Sequence, residues 1–173
     1  TFIINQIGFL KEKGHLIDIL CLGKKHIEFE PNEIINTFNL LDSTILFTWR
    51  ALMPLNKFKR LLKVLTVIKQ SYKHKLFFKM MGKLNPFYYG FNAINFSQFF
   101  KTYHLYYFKL HNYDVVHIHF ADHAVQLYEQ LVNYYGKITV TFHGYDTHNF
   151  DSEFYKQLQT LKRIKYTVNT NFT

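Results

Sequence analysis

Apolar residues along the chain change their spacing, from helical intervals of three and four to the short continuous runs typical of buried strands. Residues 1–13 carry apolar side chains at helical intervals, and Gly14 follows where a helix often ends. The β-branched runs at 15–22 and 43–48 indicate strands, with a loop and one short helix between them. This block is therefore expected to fold as helix, strand, loop and strand.

The middle of the chain predicts long helices. From 56 to about 81, apolar residues recur every three or four positions, and lysines occupy the other face. Asn85-Pro86 interrupts this pattern, and a further helix is expected from about 96 to 110. No Asp or Glu occurs between Asp42 and Asp114, so the whole segment is basic.

The last third alternates strands with helices. Gly136 is expected to close one helix, and Asp151 or Ser152 to cap the next. Alternating strands and helices indicate βαβ units with right-handed crossovers, and therefore an α/β, Rossmann-like parallel sheet flanked by helices. The predicted elements are strands at Val115–His119, Lys137–Phe142 and 166–168, and helices at 122–135 and 154–164.

Composition narrows the class of protein. The length of 173 residues suits one domain, and 48% hydrophobic against 19% charged residues excludes a disordered chain. The single cysteine, Cys21, excludes a disulfide framework, and its apolar strand favours a buried, inert thiol. The chain opens at Thr1 with no secretory leader and contains no uncharged apolar run of spanning length, which favours the cytoplasm.

Net charge suggests the kind of partner. The 21 lysines and arginines exceed the 12 acidic residues, giving a formal charge of +9 that favours acidic partners. A solvated face is the simplest interpretation of the basic helix. The functional interpretation is that the basic helix contacts an anionic membrane surface through Lys59, Lys63, Lys69 and Lys73. Nucleic acid is not expected as a partner, because lysine greatly outnumbers arginine and no known reader motif is present.

Two polar clusters follow predicted strands, where parallel sheets bind their ligands. Either cluster can also arise simply because polar residues accumulate where strands meet solvent. The first cluster resembles the histidine run of binuclear zinc hydrolases, but one extra residue separates its second histidine from the aspartate, so no metal is expected. The clusters are His117, His119, Asp122 and His123, and His143, Gly144, Asp146 and His148.

Four segments of the chain carry a recognisable pattern. They are TFIINQI at 1–7 with KGH at 13–15, YDVVHIHF at 113–120, TVTFHGYD at 139–146 and VNTNFT at 168–173. Together these segments resemble the family 4 glycosyltransferases, and the exopolysaccharide and colanic-acid-type enzymes in particular. They occur in the order and spacing of that family and cover nearly the whole chain.

The resemblance implies the amino-terminal, acceptor-binding half of a GT-B fold. Residues 1–173 would form a single truncated Rossmann-like domain with a basic helical insertion at about 50–111. A first strand is expected before Thr1, and the donor-binding domain is absent after Thr173. The resemblance makes His143 the catalytic residue, which stabilises the transition state of a retaining transfer. Gly144 would let the loop run close to the ligand, and Asp146 would orient the loop or bind a hydroxyl, although an aspartate there can equally be a helix-capping or Asx-turn residue. His119, Asp122 and Thr1 are further substrate-binding candidates on the acceptor side.

The resemblance therefore implies a hexosyl-transferring enzyme of bacterial cell-surface polysaccharide biosynthesis. It would use a nucleotide-sugar as substrate, a glycan or lipid-linked acceptor, and no cofactor, at the inner face of the cytoplasmic membrane. A non-catalytic Rossmann-like module that binds a membrane or a partner is the alternative, and a metal-dependent hydrolase comes third. Residues 1–173 expressed alone are expected to be insoluble or molten and inactive, because an absent central strand would leave sheet edges unpaired.

Overall fold

The computed structural model describes residues 2–22, 33–143, 152–161 and 164–168. Contacts within the chain divide it into two compact units, Thr1–Leu52 and Met53–Thr173. The prediction of a single domain stays a prediction. Parallel strands in two small sheets, flanked by helices, confirm the α/β, Rossmann-like fold class.

The first unit has the predicted order of elements, with shorter strands. Gly14 follows its first helix with a φ of +82°, a left-handed conformation that favours glycine. β1 and β2 pair in parallel over three residues each, and Cys21 at the end of β1 is half-buried rather than buried. The elements are α1 (Phe2–Glu12), β1 (Ile19–Cys21), α2 (Glu33–Thr37), β2 (Thr44–Leu46) and α3 (Trp49–Leu52).

The second unit begins with six helices and continues with strands that alternate with helices. Its helices are α4 (Lys57–Lys73), α5 (Phe77–Gly82), α6 (Pro86–Tyr89), α7 (Phe91–Ile94), α8 (Ser97–Leu105), α9 (Tyr107–His111), α10 (Ala121–Gln126), α11 (Tyr128–Val132) and α12 (Ser152–Gln159). Its strands are β3 (Val115–His119), β4 (Lys137–Phe142) and β5 (Ile164–Val168). None of the helices in the described ranges is both long and apolar enough to cross a membrane.

The three strands form a parallel sheet in the order β3-β4-β5. In the register, Val116 lies opposite Ile138, and Ile138 lies opposite Ile164. Because side chains alternate across a strand, Val116 and Ile118 of β3 share one buried face with Ile138, Val140 and Phe142 of β4. Within the described residues, β3 pairs on one side only, with β4. The predicted upstream strand stays a prediction.

The long helix predicted from 56 to 81 is wrong in its extent. Asn56 begins α4 as expected of a capping residue, since its side chain accepts hydrogen bonds from the Phe58 and Lys59 N–H groups. The helix ends at Lys73, and Lys75 has a φ of +58° before α5 starts. The chain therefore turns at this point and forms two packed helices instead of one rod.

Three further boundaries correct the predictions. The predicted helices at 96–110 and 122–135 are each divided, into α8 and α9 and into α10 and α11. The last helix ends at Gln159, and Ile164 already belongs to β5. Ser152 lies inside α12 rather than capping it, and Asp151 lies outside the described residues.

Gly136 does not close a helix in a left-handed conformation, because α11 ends at Val132 and the φ of Gly136 is not positive. A Cβ at this position would collide with the ring and hydroxyl of Tyr134. That hydroxyl donates a 2.6 Å hydrogen bond to the Tyr113 carbonyl, and the Tyr134 ring is only 5% exposed. A glycine is therefore required at position 136 because the Tyr134 side chain occupies the space that a Cβ would need.

The core of the second unit is rich in aromatic side chains. The helices α8 and α9 contribute five rings that are almost completely inaccessible, and neighbouring rings meet at edge-to-face or tilted angles. Val64 and Val67 pack inward from α4, and both are at most 2% exposed. The five rings are Phe99, Phe100, Tyr103, Tyr107 and Phe108.

The apolar residues of α4 that recur at helical intervals lie on its exposed side. Phe58 is 68% exposed, Leu65 is 55% exposed and Tyr72 is 76% exposed. The helix buries Val64, Val67 and Ser71 instead. The separation into one apolar and one basic face is therefore wrong, since α4 has apolar residues on both its buried and its solvent-facing sides.

Candidate functional site

Two histidines meet where β3 and β4 end. His119 is the last residue of β3, and His143 follows directly after β4. Because the two strands are parallel neighbours, with His119 opposite Thr141, their carboxyl ends lie side by side. The His119 and His143 rings stack with centroids 5.9 Å apart and an interplanar angle of 22°. His117 adjoins them, with its ring centroid 4.4 Å from that of His119.

Phe120 turns the chain away from β3 in a backbone conformation that is unusual for a phenylalanine. Its φ is +73° and its ψ is 135°, a region that glycine favours. The Phe120 N–H donates a 3.0 Å hydrogen bond to the Thr141 carbonyl. Its ring packs against His143 with centroids 4.5 Å apart, and it meets His123 edge-on at 5.7 Å. The strained turn thus places an aromatic ring beside the histidines.

The first turn of α10 adds two polar side chains. His123 Nδ1 lies 3.0 Å from the His119 carbonyl oxygen, within hydrogen-bond distance. Asp122 accepts a 2.7 Å hydrogen bond from the His123 N–H. A carboxylate in the first turn of a helix also interacts favourably with the helix dipole. The structure therefore brings Asp122 to the same end of the sheet as His119.

A row of hydroxyl groups extends from the histidines across the sheet. His117 Nε2 lies 2.8 Å from Thr141 Oγ1, which in turn lies 3.0 Å from Thr167 Oγ1. These residues share the sheet face opposite the apolar core. Neither threonine is among the site residues predicted from the sequence. Strand register is the signal that finds them, since Thr141 lies opposite His119 and Thr167 lies opposite Thr141.

The site favours neutral imidazoles. Burial chiefly, together with repulsion from His117, His143 and His123, lowers the pKa of His119 from 6.5 to about 4. Burial also lowers the pKa of His117, with a smaller contribution from His143. A neutral imidazole has one donor and one acceptor nitrogen. His117 and His119 can therefore hydrogen-bond polar ligands such as sugar hydroxyls without adding positive charge.

The described structure covers part of the predicted site. His143, His119 and Asp122 come together at the carboxyl end of the sheet. Gly144, Asp146 and Thr1 lie outside the described residues, as does His148. Their predicted roles stay predictions.

The four lysines predicted at a membrane surface have two different environments. Lys59, Lys69 and Lys73 are exposed on α4. Lys63 is half-buried, with its ammonium nitrogen 5.6 Å from the centroid of the Tyr103 ring, and burial lowers its pKa. The structure therefore separates Lys63 from the other three.

A metal centre and a surface depression are the two alternatives to the histidine site. Among the residues that the structure describes, no three His, Cys, Asp or Glu side chains are placed to hold a metal ion. An open depression of about 460 Å³ is lined by Tyr113, Asp114, Tyr135, Gly136 and Lys137. These residues adjoin the amino ends of β3 and β4, opposite to the histidines. Ligands of parallel sheets bind at carboxyl ends, so we assign the candidate site to the histidines.

No protein-family model, curated protein or solved structure matches this chain. The assignment of a function therefore depends on the residues and on their geometry.

Proposed function

We propose that this chain is the acceptor-binding part of a retaining glycosyltransferase that uses a nucleotide-sugar donor in cell-surface glycan biosynthesis. The acceptor would be a glycan or a lipid-linked sugar, at the inner face of the cytoplasmic membrane. The observation that supports the proposal is the stacking of His119 and His143 at the carboxyl ends of adjacent parallel strands. It adds to the resemblance of the segments that contain these two histidines to glycosyltransferase motifs.

The chemistry of the site suits a sugar. His143 would donate or accept a hydrogen bond beside the anomeric carbon, where positive charge develops in the transition state. His119 and Asp122 would bind acceptor hydroxyl groups, and the Phe120 ring would offer an apolar surface next to them. A donor-binding domain would neutralise the leaving diphosphate with helix amino-termini and basic side chains.

Turnover of nucleotide-sugars by the full-length protein tests the proposal. We expect His143→Ala to lower turnover by about a hundredfold or more, because it removes one preorganised polar contact at the reacting centre. His74→Ala is the matched control, since His74 lies at the carboxyl end of α4 and does not belong to the histidine cluster. Near-normal turnover in His143→Ala would remove His143 from the mechanism. A protein that turns over no nucleotide-sugar would contradict glycosyl transfer itself.

The exposed apolar residues of α4 favour a second candidate, a non-catalytic module that binds a membrane or a partner. The same assay separates the two functions. A module without activity would bind its partner equally well with and without His143, and no donor would be consumed.

A further inference from the structure

The solvent-facing side of α4 carries a stripe of large apolar side chains. Successive members are separated by one, three or seven residues, so they lie along one side of the helix. Lys69 belongs to the same side, four residues after Leu65 and three before Tyr72. We call this set the outer stripe; its apolar members are Phe58, Leu61, Leu62, Leu65 and Tyr72, between 44% and 76% exposed.

The exposure of the outer stripe follows from how α4 is held. The opposite side of the helix packs Val64 and Val67 into the core. Arg60 fixes the first turn, because its guanidinium donates hydrogen bonds to the carbonyls of Pro54 at 2.9 Å, Asn95 at 3.2 Å and Leu55 at 3.3 Å. A rotation that buried the stripe would expose both valines and break these bonds. A helix that is apolar on both sides normally has a partner on each of them.

The short helices after α4 expose further apolar side chains. Phe87 is 97% exposed, Phe78 is 87% exposed and Tyr88 is 83% exposed. The Arg60–Asn95 hydrogen bond brings the start of α4 close to the end of α7, where Phe91 and Ile94 are also exposed. Exposed apolar area of this extent marks an interaction surface.

Charge indicates what the surface binds. Residues 43–113 contain 12 of the chain's 21 lysines and arginines and none of its 12 acidic residues. This segment therefore has a formal charge of +12, whereas the remainder of the chain has −3. Ten of the 12 basic residues are lysines, whose long apolar stems can lie on an apolar surface while the ammonium group stays in water. Anionic lipid offers both components, a negative surface and an apolar layer just beneath it.

We infer that the outer stripe inserts its apolar side chains into the interface of an anionic lipid bilayer, while Lys59, Lys69 and Lys73 contact the headgroups. The inference goes beyond a charged surface near the membrane, because it requires burial of the leucines. It does not depend on glycosyl transfer. Loss of activity in His143→Ala with unchanged lipid binding would leave it intact.

Removal of the leucines is the first test. In the full-length protein, Leu61→Gln, Leu62→Gln and Leu65→Gln together are expected to weaken binding to phosphatidylglycerol–phosphatidylcholine vesicles on the order of a hundredfold. Glutamine has a helix propensity close to that of leucine, so α4 is retained. Val132→Gln is the control, because Val132 is also exposed, at 51%, but lies on α11 and does not belong to the outer stripe. Equal binding by the triple variant and the original protein would overturn the inference.

Removal of the charge is the second test. Lys59→Gln, Lys69→Gln and Lys73→Gln together should weaken binding to the same vesicles by about a hundredfold at low salt. The control variant carries Lys137→Gln, Lys156→Gln and Lys165→Gln. It has the same net charge as the first triple variant but leaves α4 unaltered, so it should bind the vesicles almost normally. Equal weakening in both triple variants would mean that only total charge matters, which would overturn the assignment of the surface.

A fluorescent reporter measures insertion directly. Trp49 is the only tryptophan, so Trp49→Phe with Phe58→Trp gives a single reporter in the outer stripe. We expect its emission to shift to the blue and to be quenched by brominated lipids when anionic vesicles are added. A reporter that stays in water while the protein is bound would overturn insertion. Concentration-dependent dimers that the leucine variant abolishes, without vesicle binding, would show a contact between copies of the chain and would overturn the inference as well.

Discussion

The Phe120 ring lies against the His143 ring with centroids 4.5 Å apart, and it is held there by a backbone φ of +73°. Such a conformation costs a non-glycine residue on the order of 1–3 kcal/mol, and it persists only where surrounding contacts outweigh the cost. Strained residues are concentrated at functional sites. The strained backbone of Phe120 beside His143 can therefore be tested without a known substrate.

Substitution of Phe120 separates its ring from its backbone. Phe120→Gly and Phe120→Ala both remove the ring, but only alanine keeps the strain. We expect the glycine variant to be more stable than the alanine variant by about 1 kcal/mol, measured by urea unfolding of the full-length protein.

The same pair of substitutions at Thr141 is the control for Phe120. Thr141 lies inside β4, where alanine is expected to be the more stable of the two. If alanine were also the more stable residue at 120, a positive φ at this position would be contradicted.

Protonation of His119 is expected to destabilise the fold at acidic pH. Its folded-state pKa of about 4, lowered chiefly by burial, lies below the ordinary value of 6.5. Between these values the unfolded state binds more protons, so the free energy of unfolding falls as the pH decreases from 6.5 towards 4. Since the ring is only half-buried, we expect a contribution on the order of 1 kcal/mol.

Unfolding measured by urea across this pH range checks the contribution of His119. The His119→Gln variant lacks the titrating ring, so its stability should decrease less steeply than that of the original protein as the pH falls. Other histidines contribute to both curves, and the difference between the curves belongs to His119. Parallel curves would show that the His119 pKa is not lowered.

Gly136→Ala is expected to destabilise the protein by about 1–3 kcal/mol, because its Cβ would overlap the buried Tyr134 side chain. Tyr134 cannot simply move aside, since its hydroxyl is bonded to the Tyr113 carbonyl and its ring packs against Phe108. Thermal unfolding measures the effect.

Gly82→Ala is the matched control for Gly136→Ala. A Cβ on Gly82 meets no atom within 4 Å, and its φ is not positive. This variant should be equally stable or about 0.5 kcal/mol more stable than the original protein. Equal effects of the two substitutions would contradict the close packing of Tyr134 on Gly136.

In the second unit, the spacing of apolar residues predicted the strands β3 and β4 correctly but not the lengths of the helices. The bounds of β3 and β4 agree with the predicted strands, because β-branched runs flanked by polar residues leave little choice of backbone. The helices were predicted too long. Periodicity continues through the left-handed residue Lys75, so the spacing of apolar positions cannot show where a chain turns.

The sequence by itself determined the α/β class, the two strands at whose carboxyl ends the histidines lie, and the basic segment without acidic residues. These features depend on the order of residue types along the chain. Only the tertiary structure decided that His119 stacks on His143 and that Thr141 and Thr167 extend their polar row, because strand register joins residues far apart in sequence. It also decided that the outer stripe faces solvent. A helix with apolar residues on two sides can bury either of them, and the packing of Val64 and Val67 makes that choice.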